Sequence, residues 1–239
     1  MTSEITLRDK LAVVTGASSG IGRAVALALA GRGARLALLG RDEARLREVA
    51  DEAGGEGRVY AFDLTDDAAL GAFKGQVEDE GPDILIHSAG TVILGSVMEA
   101  SLADLDRQYR VNLRAPYALS QALLPGLITR RGELVFINSG AGLSARAHWS
   151  QYAATKHALK ALADSLREEV ADEGVRVVSV YPGRTASPMQ EEVRRQEGAP
   201  YHAARFIQPE DVAGVVLHAL LMPRSAAMTD VSVRPRAGG

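Results

Sequence analysis

Cysteine is missing from the sequence altogether. Its absence excludes disulfides, thiolate chemistry and Cys-ligated metal, and makes a stapled secreted scaffold a poor fit; a reducing cytoplasm is the expected compartment. An excess of one charge is missing too. With a formal net charge of −3 and a pI near 6.0, nothing draws the chain to a phosphate backbone or an anionic membrane, partners that need clustered Lys and Arg. No apolar run reaches the roughly 18 residues of a membrane span. The start, 1–10, is polar and mixed in charge, with neither the apolar centre of a signal peptide nor the Arg/Ser bias of a transit peptide. No membrane or nucleic-acid partner is expected. Histidine is sparse, five in the chain, with no spacing to carboxylates that gathers several on one face, so no metal site is expected.

What is present is the composition of an ordinary folded protein, 46% hydrophobic and 24% charged over 239 residues, a length that α/β folds reach as one domain. Short apolar runs at 10–15, 35–39, 58–62, 84–87, 133–138 and 175–181 read as strands, with a last apolar segment at 228–233. Between them, 21–32, 42–53, 66–80, 102–129, 150–172 and 211–221 read as helices. Strands apolar on both sides and alternating with helices predict a single-domain, Rossmann-like, doubly wound parallel sheet with helices on both faces. Ligands gather at the carboxyl ends of such strands, where the strand order reverses. The charged stretch 188–209, with Gly198, Pro200 and His202, breaks the rhythm and reads as a mobile substrate flap. The acidic stretches 78–80 and 191–192 read as solvated helix faces. No linker marks a second domain, so 1–239 reads as one dinucleotide-binding and catalytic unit.

Thr15-Gly16-Ala17-Ser18-Ser19-Gly20-Ile21-Gly22 lies between the first strand and the first helix. Bare backbone N–H groups and the positive end of a helix can hold a pyrophosphate there, and side chains at the glycines would block the diphosphate or the tight turn. Alone, such a turn is only a turn; at the opening of a βαβ unit it points to a dinucleotide. At the end of the second strand, where an acid would hold the ribose 2′-OH of NAD, stand Gly40 and Arg41. A cation there suits the 2′-phosphate of NADP(H) and makes NAD(H) the second choice. Arg41 could equally be a solvated arginine; Ser19, another place where a base could help, is neutral, and Asp42 could cap the next helix.

Tyr152 and Lys156 are one helical turn apart, so both project from one face. Tyrosine titrates near pH 10, and a neighbouring cation brings the phenol toward working pH for proton exchange with a carbonyl oxygen. Ser139 ends a predicted strand. Together with the glycine turn, with Asp63 after the third strand, Ala89-Gly90 after the fourth, Asn112, and Pro182-Gly183 after the sixth, these residues resemble the short-chain dehydrogenase/reductase family over nearly the whole chain.

That resemblance implies an oxidoreductase that moves a hydride between NADP(H) and a carbonyl or alcohol. Ser139 would orient the substrate oxygen, Tyr152 would exchange its proton, and Lys156 would lower the tyrosine pKa and hold the nicotinamide ribose. Asn112 would complete a proton relay through water. Gly16, Ser18, Ser19, Gly20, Ile21 and Gly22 would hold the diphosphate, Asp63 and Leu64 the adenine, with Ala89 and Gly90 beside the cofactor and Pro182, Gly183 and Thr185 near the nicotinamide. Plainer readings stand beside these: Asp63 capping a turn, Asn112 an internal polar group, Pro182-Gly183 a strand end. The sequence departs from the family where two asparagines usually precede Ala89-Gly90 and has His87-Ser88. His87 reads as a strand-end histidine rather than a base, since Tyr152 fills that role. The substrate pocket is expected from 92–94, 141–149 and the flap after Thr185, with His148 and Trp149 either lining it or packing nearby.

Two rival readings are a non-catalytic NADP(H)-sensing binding protein and a sugar-nucleotide epimerase or dehydratase. The intact Ser-Asn-Tyr-Lys set argues against the first, and the lack of sequence for an extra substrate domain against the second. The resemblance also implies a homodimer or homotetramer, built on the Ala- and Leu-rich helices 102–129 and 150–172.

Overall fold

In β1 (Leu11–Thr15) successive side chains face opposite ways and all are apolar until Thr15: Ala12 and Val14 join one core cluster, Leu11 and Val13 the other. A strand like this needs cover on both sides. Helices α1 (Gly20–Ala30), α2 (Glu43–Glu52) and α8 (Pro209–Leu220) fill the first cluster, and α3 (Asp67–Val77), α5 (Ala115–Arg130) and α6 (Ser150–Glu169) the second. The computed structural model describes residues 6–77 and 80–236. Within them β1 is joined by β2 (Arg35–Gly40), β3 (Arg58–Ala61), β4 (Ile84–His87), β5 (Glu133–Ile137), β6 (Arg176–Pro182) and β7 (Asp230–Val233) in one sheet of order β3-β2-β1-β4-β5-β6-β7. Every pairing is parallel. This is the doubly wound, Rossmann-like fold expected from the sequence. No helix among the described residues is long and apolar enough to cross a membrane.

The order reverses between β1 and β4, and Thr15 closes that seam. Its hydroxyl accepts from the backbone N–H of Ser88 (3.0 Å) and Ala89 (3.1 Å) and donates to the Ile86 carbonyl (3.3 Å). The gap that a doubly wound sheet opens at its switch point therefore lies between Gly16 and Ala89.

Three stretches differ from the sequence expectation. The helix expected over 66–80 is seen as Asp67–Val77; residues 78 and 79, and so most of the acidic stretch 78–80, lie outside the described residues. The long helix 102–129 is α4 (Leu102–Tyr109) and α5 joined by a π-helical turn, Arg110–Arg114, which rotates Asn112 inward. The stretch 188–209 holds α7 (Pro188–Gln196) and a 3₁₀ turn at Ala203–Arg205. Alternating charge hid this helix, because the apolar stripe is reduced to Val193. Its start was nonetheless written in Ser187-Pro188-Met189-Gln190: Ser187 accepts from Gln190 N–H (3.1 Å) as N-cap, with proline in the first turn.

Glu133 and Arg176 form an ion pair that is almost wholly buried, with side-chain exposures of 7% and 10%. Arg176 also donates to the carbonyls of Leu220, Met222 and Ala226, tying the end of α8 to the base of the sheet. The Arg176 guanidinium, with Arg224 farther off at 3.6 Å, makes such burial tolerable: burial pushes the Glu133 carboxyl up and the two arginines oppose it.

His87 is a core residue. It is 3% exposed, its Nε2 lies 2.8 Å from Ser120 Oγ, and its ring stacks on Phe136 with centroids 4.9 Å apart. Burial pushes its pKa down to about 3, so it stays neutral in the folded chain where an unfolded imidazole protonates near 6.5. Between those values the unfolded state binds the extra proton, so stability falls as the pH falls from about 6.5 toward 3. We expect the protein to lose about 2 kcal/mol from this residue between pH 7 and pH 5. Urea midpoints of wild type and His87→Asn at the two pH values check this; an equal loss in both would show that the loss arises elsewhere.

Candidate active site

A cleft of about 1060 Å³ runs along the carboxyl ends of the strands. All of the site residues expected from the sequence line it except Asn112, which is fully buried just behind it.

One end is built by the glycine turn. Gly16 has φ +65°, and a Cβ there would lie 2.8 Å from Ala89 Cα; a Cβ on Gly22 would run into the Gly16 carbonyl. Both positions therefore require glycine, and they bring the start of α1 against the switch point with no side chain in the way. Ser19, the N-cap residue of α1, makes no side-chain capping bond. Ser187, not anticipated from the sequence, faces this turn, with its Cβ 3.2 Å from where one on Gly20 would stand. This open cradle, a helix start lined by bare backbone, fits the diphosphate of a dinucleotide.

Beyond it, Arg41 stands just after β2, and Asp63, Leu64 and Thr65 follow β3 along the cleft wall. Asp63 accepts from Thr65 N–H (2.9 Å) and its hydroxyl (2.8 Å). These bonds hold its carboxyl below the usual range, helped by the nearby Arg41 and Arg107. Asp63 therefore caps its turn while lining the cleft. Asp42 caps α2 through Arg45 N–H at 3.1 Å, which commits its carboxylate to the helix.

At the other end, Ser139 opens a 3₁₀ turn, its Oγ accepting from Ala141 N–H at 3.1 Å. The preceding Asn138 was missed by sequence reasoning. Buried at the strand end, it accepts from Ser139 N–H (2.9 Å) and donates to the Lys156 carbonyl (3.1 Å), fixing the serine loop to α6. A Cβ on Gly142 would sit 2.5 Å from Asn138 Oδ1, so this junction also needs glycine. Tyr152 and Lys156 rise from α6 as one turn of helix requires, with Lys156 Nζ 5.9 Å from the Tyr152 ring centroid and donating to the Ile137 carbonyl at 3.1 Å. Burial raises the Tyr152 pKa, with Ser139 opposing, and lowers that of Lys156 to about 8. At neutral pH the phenol is protonated and the ammonium largely charged.

Asn112 donates to the Thr91 carbonyl (2.9 Å) and Thr155 Oγ1 (3.1 Å) and accepts from Thr91 N–H (2.8 Å). It thereby joins the loop after β4 to the catalytic helix. Gly90 lies between it and Lys156: a Cβ there would be 3.5 Å from Asn112 Oδ1 and 3.9 Å from Lys156 Nζ. Trp149 meets Tyr152 edge-on at 5.8 Å, and with Val92, Leu94, Ala141 and Val193 gives this end an apolar wall. His148 is an exposed loop residue with φ +66°. Among the described residues no group of three or more His, Asp or Glu could hold a metal ion.

An open parallel sheet with a glycine cradle at its switch point, and a serine, tyrosine and lysine converging in the same cleft, defines a nucleotide-dependent oxidoreductase site. The family model for short chain dehydrogenase matches residues 10–198. An uncharacterized oxidoreductase of Staphylococcus epidermidis is 32% identical over 96% of this chain and 98% of its own. A metagenomic short-chain oxidoreductase solved with NADP is similar in structure (TM-score 0.82, 33% identity, 96% and 98% covered). So is L-sorbose reductase from Gluconobacter frateurii solved with NADPH and L-sorbose (0.86, 26%, 96% and 97%). The chain belongs to the short-chain dehydrogenase/reductase family.

Proposed function

We propose that the protein is an NADP(H)-dependent oxidoreductase that interconverts a carbonyl compound and its alcohol, with Tyr152 as the acid and base. The observation that carries this is the convergence of Ser139, Tyr152 and Lys156 in the cleft that the glycine turn also opens. Gly16, Ser18, Ser19, Gly20, Ile21 and Gly22 hold the diphosphate; Arg41 takes the 2′-phosphate, with Asp63 and Leu64 at the adenine. Ala89, Gly90, Pro182, Gly183 and Thr185 flank the nicotinamide end. When bound, the cofactor supplies the hydride for reduction and accepts it in oxidation. Ser139 Oγ donates to the substrate oxygen and Tyr152 gives that oxygen its phenolic proton. The Lys156 ammonium favours the phenolate left behind, and Asn112 completes the route by which the proton is restored. The relatives solved with NADP(H) support the cofactor assignment.

The acting form we propose is a cytoplasmic homodimer or homotetramer of single-domain chains that works on a small molecule, not on nucleic acid or at a membrane. The exposed apolar side chains Val97, Met98, Leu102, Tyr109 and Tyr117 on and just before α4 and α5 support assembly through that face. The stretch 188–209 serves as the substrate flap, hinged on Ser187.

The test is NADPH and NADH oxidation over a panel of ketones, aldehydes, quinones and 3-oxoacyl thioesters, with sugar nucleotides alongside. NADPH-dependent turnover of a carbonyl is the expected result. Binding of NADPH with no turnover of any member would favour the sensor reading, and conversion of a sugar nucleotide the epimerase one.

A further inference from the structure

The substrate end of the cleft has a feature that the hydride-transfer chemistry does not use. Directly after β7, Arg234 and Pro235 line the cleft. They lie against two glycines at the ends of neighbouring strands. A Cβ on Gly140 would be 2.6 Å from Arg234 Nη1, and one on Gly183 would be 3.0 Å from Pro235 Cδ. The missing side chains at both positions leave room for this approach. The Arg234 guanidinium thus reaches, through Nη1, the residue next to Ser139.

That guanidinium makes no ion pair or hydrogen bond among the described residues. Arg184, also at this end, is already engaged: it makes a paired contact with the Glu197 carboxylate (2.8 and 2.5 Å) and sits over the Trp149 ring at 5.9 Å. The two acids lining the cleft, Asp63 and Asp106, belong to the loop after β3 and to α4, by the glycine-turn end, and Asp63 has Arg41 and Arg107 near it. A planar fork of donors that lines the cleft next to the reacting serine, with no carboxylate paired to it among the described residues, is the chemistry that recognises a planar or tetrahedral anion.

We propose that the substrate carries an anionic group, a carboxylate or a phosphate ester, on the same small molecule as the reacting carbonyl, and that Arg234 binds it. This rests on the hydride-transfer reading above and names the substrate class for that site. Arg234 then fixes which end of the substrate faces Ser139 and Tyr152, and the apolar wall takes the carbon chain between.

The experiment uses the full-length protein with linear oxo acids, their methyl esters and the matching oxoalkyl phosphates, in wild type, Arg234→Gln and Arg234→Lys. Arg234 is exposed, so its replacement leaves the core untouched. The expected result is a kcat/KM for an anionic member about 10- to 100-fold above its ester in wild type. Arg234→Gln should collapse that preference mainly through KM, and Arg234→Lys should restore part of it. A phosphate better than the acid assigns a phosphate ester; the reverse assigns an oxo acid. Esters reduced as well as the anions, or a Gln variant that slows both alike, would overturn the proposal while leaving hydride transfer standing. If no carbonyl is reduced, that parent reading fails separately. The subsite is then judged by quenching of Trp149, the single tryptophan: equal quenching of wild type and Arg234→Gln by the acids overturns it.

Discussion

Tyr152→Phe lowers turnover about 1000-fold while leaving NADPH affinity within about threefold of wild type, the size of loss expected when a positioned general acid is removed. The substitution removes one oxygen and little else. The ring is 6% exposed, packed edge-on to Trp149 and beneath the Lys156 side chain, and phenylalanine fills the same space. What disappears is the phenolic hydroxyl, with the proton that burial keeps on it at neutral pH. The pH profile gives a second check. Lys156 carries a pKa of about 8, so the cation that favours phenolate is lost as pH rises through that value, and reductive turnover of wild type falls there. The two measurements, single-turnover NADPH oxidation and fluorescence titration of NADPH, separate chemistry from binding. Equal activity of the two proteins would remove Tyr152 from the mechanism, whereas NADPH binding with no turnover by either would favour a sensor.

The sheet was legible in the sequence because its inner strands are buried on both faces, which leaves uninterrupted apolar runs such as 11–14, and because helices of a different period separate the strands. The cleft residues were legible where chemistry demands a residue type at a fixed place: glycine where a Cβ would strike Gly16 or Ala89, tyrosine and lysine one turn apart. What stayed hidden depends on contacts between segments far apart in the chain. Asn138 shows its role only when the Lys156 carbonyl is beside it. The π-helical turn that brings Asn112 inward has no period of its own and reads as plain helix. Helix α7 carries almost no apolar stripe, since its inner face meets a polar partner: Gln196 accepts from Leu94 N–H at 2.7 Å. Nothing near Arg234 in the chain reveals that Gly140 lies beside it.

On the proposed reading, cofactor choice lies within two residues at the end of β2. Arg41 follows the last strand residue, Gly40, and lines the cleft; the neighbouring carboxylate, Asp42, is spent on the N-terminus of α2. With Asp42 committed to the helix and Asp63 bonded to Thr65, the Arg41 cation favours a 2′-phosphate and gains nothing from a 2′-hydroxyl. Replacing Arg41 by Ala removes a charge-assisted contact and is expected to weaken NADPH about 10- to 100-fold with little effect on NADH. Adding Gly40→Asp places a carboxylate where it repels the phosphate and accepts from the hydroxyl. The site can take it, since a Cβ on Gly40 would meet only Leu46 Cδ2 at 3.4 Å, an ordinary contact, in extended strand backbone. The double variant is therefore expected to reverse the preference, with a change of about 1000-fold or more in the NADPH-to-NADH ratio of kcat/KM. Salt gives an independent handle, because NADPH affinity of wild type should weaken with ionic strength more steeply than that of the Arg41→Ala protein. A ratio unmoved by both substitutions would transfer the 2′-phosphate to the second cation of this end, Arg107, which already shares the Asp63 field with Arg41.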